Sequence, residues 1–289
     1  MTPISRIFIG EIWKLLKRPM TWTLAIILVV LMVLIYGTLI GTILAPDGMG
    51  VDVEVDQSMG TSLEEALILP DGLYMGIGLV QLMVTALIIV LAAGMVGSDL
   101  SWGTIRTMLM MGAGRTPILI GKILALGVLG LAGLVIGMLL SIIGSLVTAV
   151  AVGEGIQFSS WATAGFVGEA GVLLFRSMIG IMVWAAIAAT ITLMSRSLAA
   201  GLGASLALLF LGGQIGGLLG QLGNIGVWMG RALPNAGVDA LNQLNAAIPP
   251  SYAAGDWAWI LANIIGWLVL LAIAAVVTFR RMDTLAAGS

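Results

Sequence analysis

The stretch TWTLAIILVVLMVLIYGTLIGTIL, residues 21–44, holds no charged side chain and no alternation of polar with apolar positions. A helix needs roughly 20 apolar residues to cross about 30 Å of hydrocarbon, so this run is long enough to span. Its continuity points to a helix rather than a barrel strand, whose outward and inward residues would alternate. Five further runs repeat the pattern: Leu73–Val96, Ile118–Val150, Val172–Met194, Leu198–Leu222 and Trp257–Phe279. Ile118–Val150 exceeds what a span requires and is expected to project beyond the bilayer on one side.

Composition agrees with that reading. Of 289 residues, 60% are apolar and 9% charged, whereas a soluble domain carries about 25% charged residues. A mean hydropathy of +1.14 leaves too little polar surface for water. The expected fold is an all-α polytopic membrane protein. It comprises a short amphipathic segment over residues 1–20 and one six-helix transmembrane domain over residues 21–289. Apolar runs take up most of the length and leave no room for a second, soluble domain.

Counts also exclude functional classes. The chain has no His and no Cys, which removes the usual zinc sites, thiolate nucleophiles, disulfides and His-based proton relays. A formal charge of −2 offers no basic patch for nucleic acid.

Six spans place the N-terminus, the second and fourth loops and the C-terminus on one side. That side holds Arg6, Lys14, Lys17, Arg18, Arg106, Arg115, Lys122, Arg196, Arg280 and Arg281. The opposite side holds Arg231, with Arg176 near the start of the fourth span. The excess predicts cytoplasmic termini. No small-x-small cleavage site follows the first apolar run, which therefore reads as a retained span.

Three segments outside the spans are informative. In residues 3–18, Ile4, Ile7, Phe8, Ile12 and Leu15 fall on one helical face, away from Arg6, Lys14, Lys17 and Arg18, and Pro19 ends the pattern. A basic amphipathic helix of this kind lies in the headgroup plane, either as a topology anchor or also as a contact for a cytoplasmic partner. The second loop, GSDLSWGTIRTMLMMGAGRTPILIGK at 97–122, is not a polar linker. Ser98 or Asp99 is expected to cap a helix reaching about Met111, and Thr116 and Pro117 to cap and start the third span. Trp102, Ile105, Leu109 and the Met cluster give that helix an apolar side too large for water. It must lie on membrane, on its own bundle, or in a groove of another protein. In the last outer loop, residues 223–256, Val238, Leu241 and Leu244 recur every three residues. Short interfacial or re-entrant helices and an irregular loop both fit that spacing. VDVEVD at 51–56 reads as a solvated acidic strand, because Gln57 and Leu63 stand where a calcium loop needs Gly and Glu.

Within the spans, Gly37 with Gly41, Gly133 with Gly137, and Gly212, Gly216 and Gly220 stand at the spacing that lets helices approach closely. Gln81 and Gln214 are the long polar side chains well inside, candidates for interhelical bonds or for a substrate pathway. Glu169 and Arg176 lie two turns apart and could face each other. The predicted span interiors contain no Asp or Glu, which disfavours proton coupling. FLGGQ at 210–214 falls mid-span, out of reach of a nucleotide. Gly121-Lys122 lacks the earlier Gly and the following Ser or Thr of a phosphate loop.

With these features together, the chain resembles the permease subunit of type-2 ATP-binding-cassette (ABC) exporters. The resemblance rests on the basic amphipathic N-terminus, the six spans, and the loop residues Asp99, Gly103, Thr104, Arg106, Arg115, Gly121 and Lys122. The close TFRRMD, Thr278–Asp283, is also similar. Asp99 departs from the Glu that such permeases commonly carry. The resemblance implies that this chain catalyses nothing and binds no cofactor, with ATP and Mg on separate cytosolic nucleotide-binding subunits. It further implies a second permease copy or a sister chain, and an N-terminal elbow helix. A coupling helix at Asp99–Met111 would seat Trp102, Ile105 and Leu109 in the ATPase, with Asp99 and Arg106 fixing register. The cargo is expected to be hydrophobic or amphipathic, and the location the inner (plasma) membrane of a prokaryote. A non-transporting anchor or sensor for an ATPase and an ion-coupled secondary carrier are the alternative functions.

Overall fold

A computed structural model describes residues 3–44, 63–111, 114–155 and 163–281. For Ile105, Arg106, Leu109, Arg115, Arg280 and Arg281 only the backbone is described, and the acidic segment 51–56 lies outside the described residues. The described residues are helical, with no strand. In chain order the helices are α1 (Pro3–Lys17), α2 (Pro19–Leu44), α3 (Leu63–Leu67), α4 (Gly72–Ser101), α5 (Thr104–Met110) and α6 (Arg115–Val152). They continue with α7 (Ala164–Ser195), α8 (Leu198–Gly220), α9 (Asn224–Ala232), α10 (Pro234–Gln243) and α11 (Ala254–Arg281).

Among the described residues six helices are long and apolar enough to cross a membrane: α2, α4, α6, α7, α8 and α11. Each coincides with one of the six runs read from sequence. The 38 residues of α6 extend about 57 Å at 1.5 Å per residue, so this helix projects past the hydrocarbon as its length predicts.

The bundle is organised around α4, which packs against α6, α7 and α8. Two thirds of its apolar window is buried, against about one sixth for α8 and α11. Small residues make that centre possible. A Cβ on Gly137 would overlap Val80, so the α4–α6 approach depends on that glycine, and one on Gly133 would press on Val84 at 3.2 Å. Gly37, by contrast, meets nothing within 4 Å and marks no contact. The Tyr36 hydroxyl and Ser141 Oγ, 2.7 Å apart, tie α2 to α6.

The link between α7 and α8 is short. Arg196 takes a left-handed conformation (φ 53°) to end α7, and the Ser197 hydroxyl accepts from the Ala200 N–H to start α8. Between α8 and α11 the chain forms α9 and α10 rather than an irregular loop. Gly212 abuts Asn235 and Gly216 abuts Gly230, so this part of the glycine run serves an internal contact with α9 and α10. Gly220 meets nothing within 4 Å, and neither do Gly213 and Gly217.

Candidate functional site

The termini-side end of the bundle gathers most of the buried charge. On α1 the stripe Ile4, Ile7, Phe8, Ile12 and Leu15 turns toward the bundle, and Glu11 occupies a position within it. Glu11 is buried, as are Asp99 in the last turn of α4 and Lys122 in the second turn of α6. Lys122 Nζ donates to Glu11 Oε1 at 2.9 Å and also to Asp99. Lys14 donates to Asp99 and stands 3.9 Å from Glu11 Oε2. Arg18 Nη2 lies 3.7 Å from Asp99 Oδ1. Three cations thus surround two carboxylates, drawn from α1, the joint after it at Arg18, α4 and α6.

Such a cluster acts as a positional clamp more than as a source of net stability. Desolvating five ionised groups offsets most of their mutual attraction, yet removing one partner strands another. Gly121 completes the arrangement, because a Cβ there would lie 2.7 Å from Ile7 Cγ2 and hold α1 away from α6. Gly121-Lys122, which fails as a phosphate loop, here brings α1 close to α6 and pairs with it.

Directly beyond the clamp lies the loop helix. It differs from the sequence expectation in where it begins: α4 runs on through Ser101, so neither Ser98 nor Asp99 is its cap. The break falls at Trp102 and Gly103, the latter at φ +65°, where a side chain would be strained. Asp99, expected to present its charge to a partner, is turned inward because Lys14 and Lys122 are within reach on neighbouring helices. Gly114, not Thr116, stands at the start of α6.

On α5, Met108 packs against a cluster of Val96, Ile118, Leu193 and Phe279. Trp102 remains 72% exposed, Met110 73% and Met111 74%. α5 therefore holds to its own bundle through Met108, while Met110 at its end and Trp102 and Met111 flanking it present apolar surface. The Arg18 guanidinium lies 5.5 Å from the Trp102 ring centroid, linking that surface to the clamp. Thr104 begins α5, while the side chains of Ile105, Arg106 and Leu109 lie outside the described residues. Of the predicted N-terminal cations, Lys14 and Arg18 join the clamp. Lys17 instead lies over Trp13 at 5.5 Å, and Arg6 is exposed.

A second polar group lies at the other end. Gln81 is buried and donates to Asn242 of α10, while Ser177 donates to Gln81 Oε1 at 3.0 Å and Asn245 donates to Ser177 at 3.1 Å. Gln81 thus ties α10 to α4 and α7 through interhelical hydrogen bonds. Gln214 is exposed on α8. Carbonyls freed where α9 meets α10 find side-chain donors: Asn263 bonds Arg231 O at 2.8 Å and Leu233 O at 3.1 Å, and Trp267 bonds Ala232 O at 3.0 Å. Arg176 donates to Leu244 O at 2.8 Å, and Glu169 accepts from Tyr74 at 3.1 Å. These two residues, expected to face each other, each have a different partner.

Glu11 is the site residue that the sequence reading missed. Its signal was a carboxylate at a stripe position, flanked by Phe8 and Ile12. No group of His, Cys, Asp and Glu among the described residues could hold a metal ion.

The fold defines a multi-pass, all-helical membrane protein. Residues 64–285 match a family described as a protein of unknown function (DUF2705), and the chain belongs to that family. No curated protein matches it.

Proposed function

We propose that the chain is the membrane-spanning permease subunit of a type-2 ABC exporter, driven by ATP hydrolysis on separate cytosolic subunits. The observation that carries this reading is α5, which sits at the basic end of the bundle with Trp102, Met110 and Met111 uncovered. Apolar side chains of that size at the end of a short helix and beside it, outside the spans, suit insertion into a groove of a cytosolic partner. In this reading α5 is the coupling helix and α1 the elbow helix. The clamp of Glu11, Lys14, Arg18, Asp99 and Lys122 then makes α1, α4 and α6 follow any displacement of α5. Nucleotide-driven movement of the partner would shift the bundle between states by that route.

A second copy or a sister chain is supported by α8. Its Gln214 amide is exposed about 9 Å from the end of the helix, and Gly213 and Gly217 stand open beside it. An amide left in hydrocarbon costs several kcal/mol, so it calls for a hydrogen-bonding neighbour. The apolar, small-residue character of this face suits a hydrophobic or amphipathic cargo. Both termini face the cytoplasm by the excess of positive residues on their side, and the inner membrane of a prokaryote goes with the exporter reading.

The test is a mild-detergent pull-down of tagged wild type and a Trp102→Ala/Met110→Ala variant from native membranes, with co-purifying ATPase activity assayed. Activity with wild type and its loss with the variant is the expected result. Wild type that brings down no ATPase sinks the assignment.

A further inference from the structure

Helices α6 and α11 scarcely touch, although both pack on α7. Between them, in the half of the bundle nearest the termini, lies a groove of about 140 Å³. Ala186 and Ala189 of α7 form its floor, and Ala272 and Ala275 of α11 one wall. These small side chains leave a narrow channel where larger ones would close the bundle. Its outward edge lies on the lipid-facing surface, where Ile123 is 45% exposed.

Lys122 and Thr190 are the polar residues of a lining that is otherwise apolar. Lys122 lies at the end nearest the termini, its stem against the groove and its ammonium in the charge clamp. Apolar cavities stay dry, so water does not fill this one. In a bilayer the abundant apolar chain at that depth is lipid hydrocarbon. Charge at that end is net positive: the clamp, which Lys122 shares with the groove, sets three cations against two carboxylates, and the α11 backbone runs on from Phe279 of the lining to Arg280 and Arg281.

We infer that this groove binds one anionic phospholipid, an acyl chain lying between α6 and α11 and the phosphate at the basic rim. The site is separate from the open face of α8 and does not depend on coupling to an ATPase. Its occupant is a resident lipid that fills the gap and neutralises the rim.

The test uses the full chain in dodecyl maltoside and native mass spectrometry. Phosphatidylglycerol and phosphatidylcholine with identical acyl chains are added in competition. Wild type is expected to retain one phosphatidylglycerol with a preference of about fivefold or more, the effect of one basic residue on an anionic headgroup. Ala189→Phe fills the groove from its floor and Ala272→Leu from its wall. Each, if monodisperse, is expected to lose the retained lipid and the preference. Ile136→Phe, on an exposed part of α6 away from the groove, is expected to keep both. Equal binding of the two lipids by wild type overturns the proposal, as does undiminished phosphatidylglycerol retention in a folded, groove-filled variant. The wild-type competition stands by itself if neither variant folds.

Discussion

Asp99 and Lys122 show how a buried charge is tolerated at the edge of an apolar bundle. Each is buried, and each has more than one opposite charge within reach. Removing one therefore leaves its buried partners short of a countercharge. Asp99→Asn and Lys122→Met are each expected to destabilise the detergent-solubilised protein by about 3 kcal/mol. The double variant should lose less than the sum by about 1–3 kcal/mol, because neither partner is then stranded alone. Thermal midpoints of the four proteins complete the cycle, and strict additivity would show that the two do not act on one another. Glu11 explains why sequence reading stopped short here. Its spacing along α1 placed it on the inward stripe, but periodicity gives a residue's face and not its partner. Lys122 lies 111 positions away. A residue pattern carries no sign of a pairing over that separation.

The spanning helices were legible element by element, since twenty or more apolar residues in hydrocarbon have few alternatives to a helix. The breaks were less so. α4 overran its predicted end by five residues, from Val96 to Ser101, because Asp99 reads as a polar stop until its countercharges are known. The pair α9 and α10 was equally compatible with an irregular loop, because its stability comes from donors supplied by other helices. Asn263 makes that dependence testable. It satisfies two carbonyls, Arg231 O and Leu233 O, at the turn between the pair. Asn263→Ala should cost about 1–3 kcal/mol for the acceptors left unpaired. It should also increase amide exchange in α9 and α10 more than in α4. Unchanged exchange in that pair would mean that the turn is held by packing alone.

At the scale of the molecule, the two ends of the bundle differ in kind. The termini end is charged and clamped, while the opposite end is closed by neutral amides and a folded-back helix pair. The uneven distribution of basic residues predicts cytoplasmic termini, and the absence of Cys makes that orientation easy to check. In intact cells, Thr107→Cys on α5 is expected to resist a membrane-impermeant thiol reagent until the membrane is breached. Glu154→Cys, just beyond α6, should react at once. The reverse pattern would place the termini outside and remove α5 from the reach of any cytosolic ATPase.

The distance along the chain between Glu11 and Lys122 also sets a timetable for biosynthesis. The first helix leaves the ribosome with a carboxylate on its apolar stripe and no cation from α6 to meet it. The matching ammonium arrives 111 residues later, on the order of ten seconds at usual rates of synthesis. Until then Glu11 has only Lys14 of its own helix for a countercharge, 3.9 Å away, and burying α1 early would cost more than burying it late. Docking of α1 is thus expected to wait until the third span is in place.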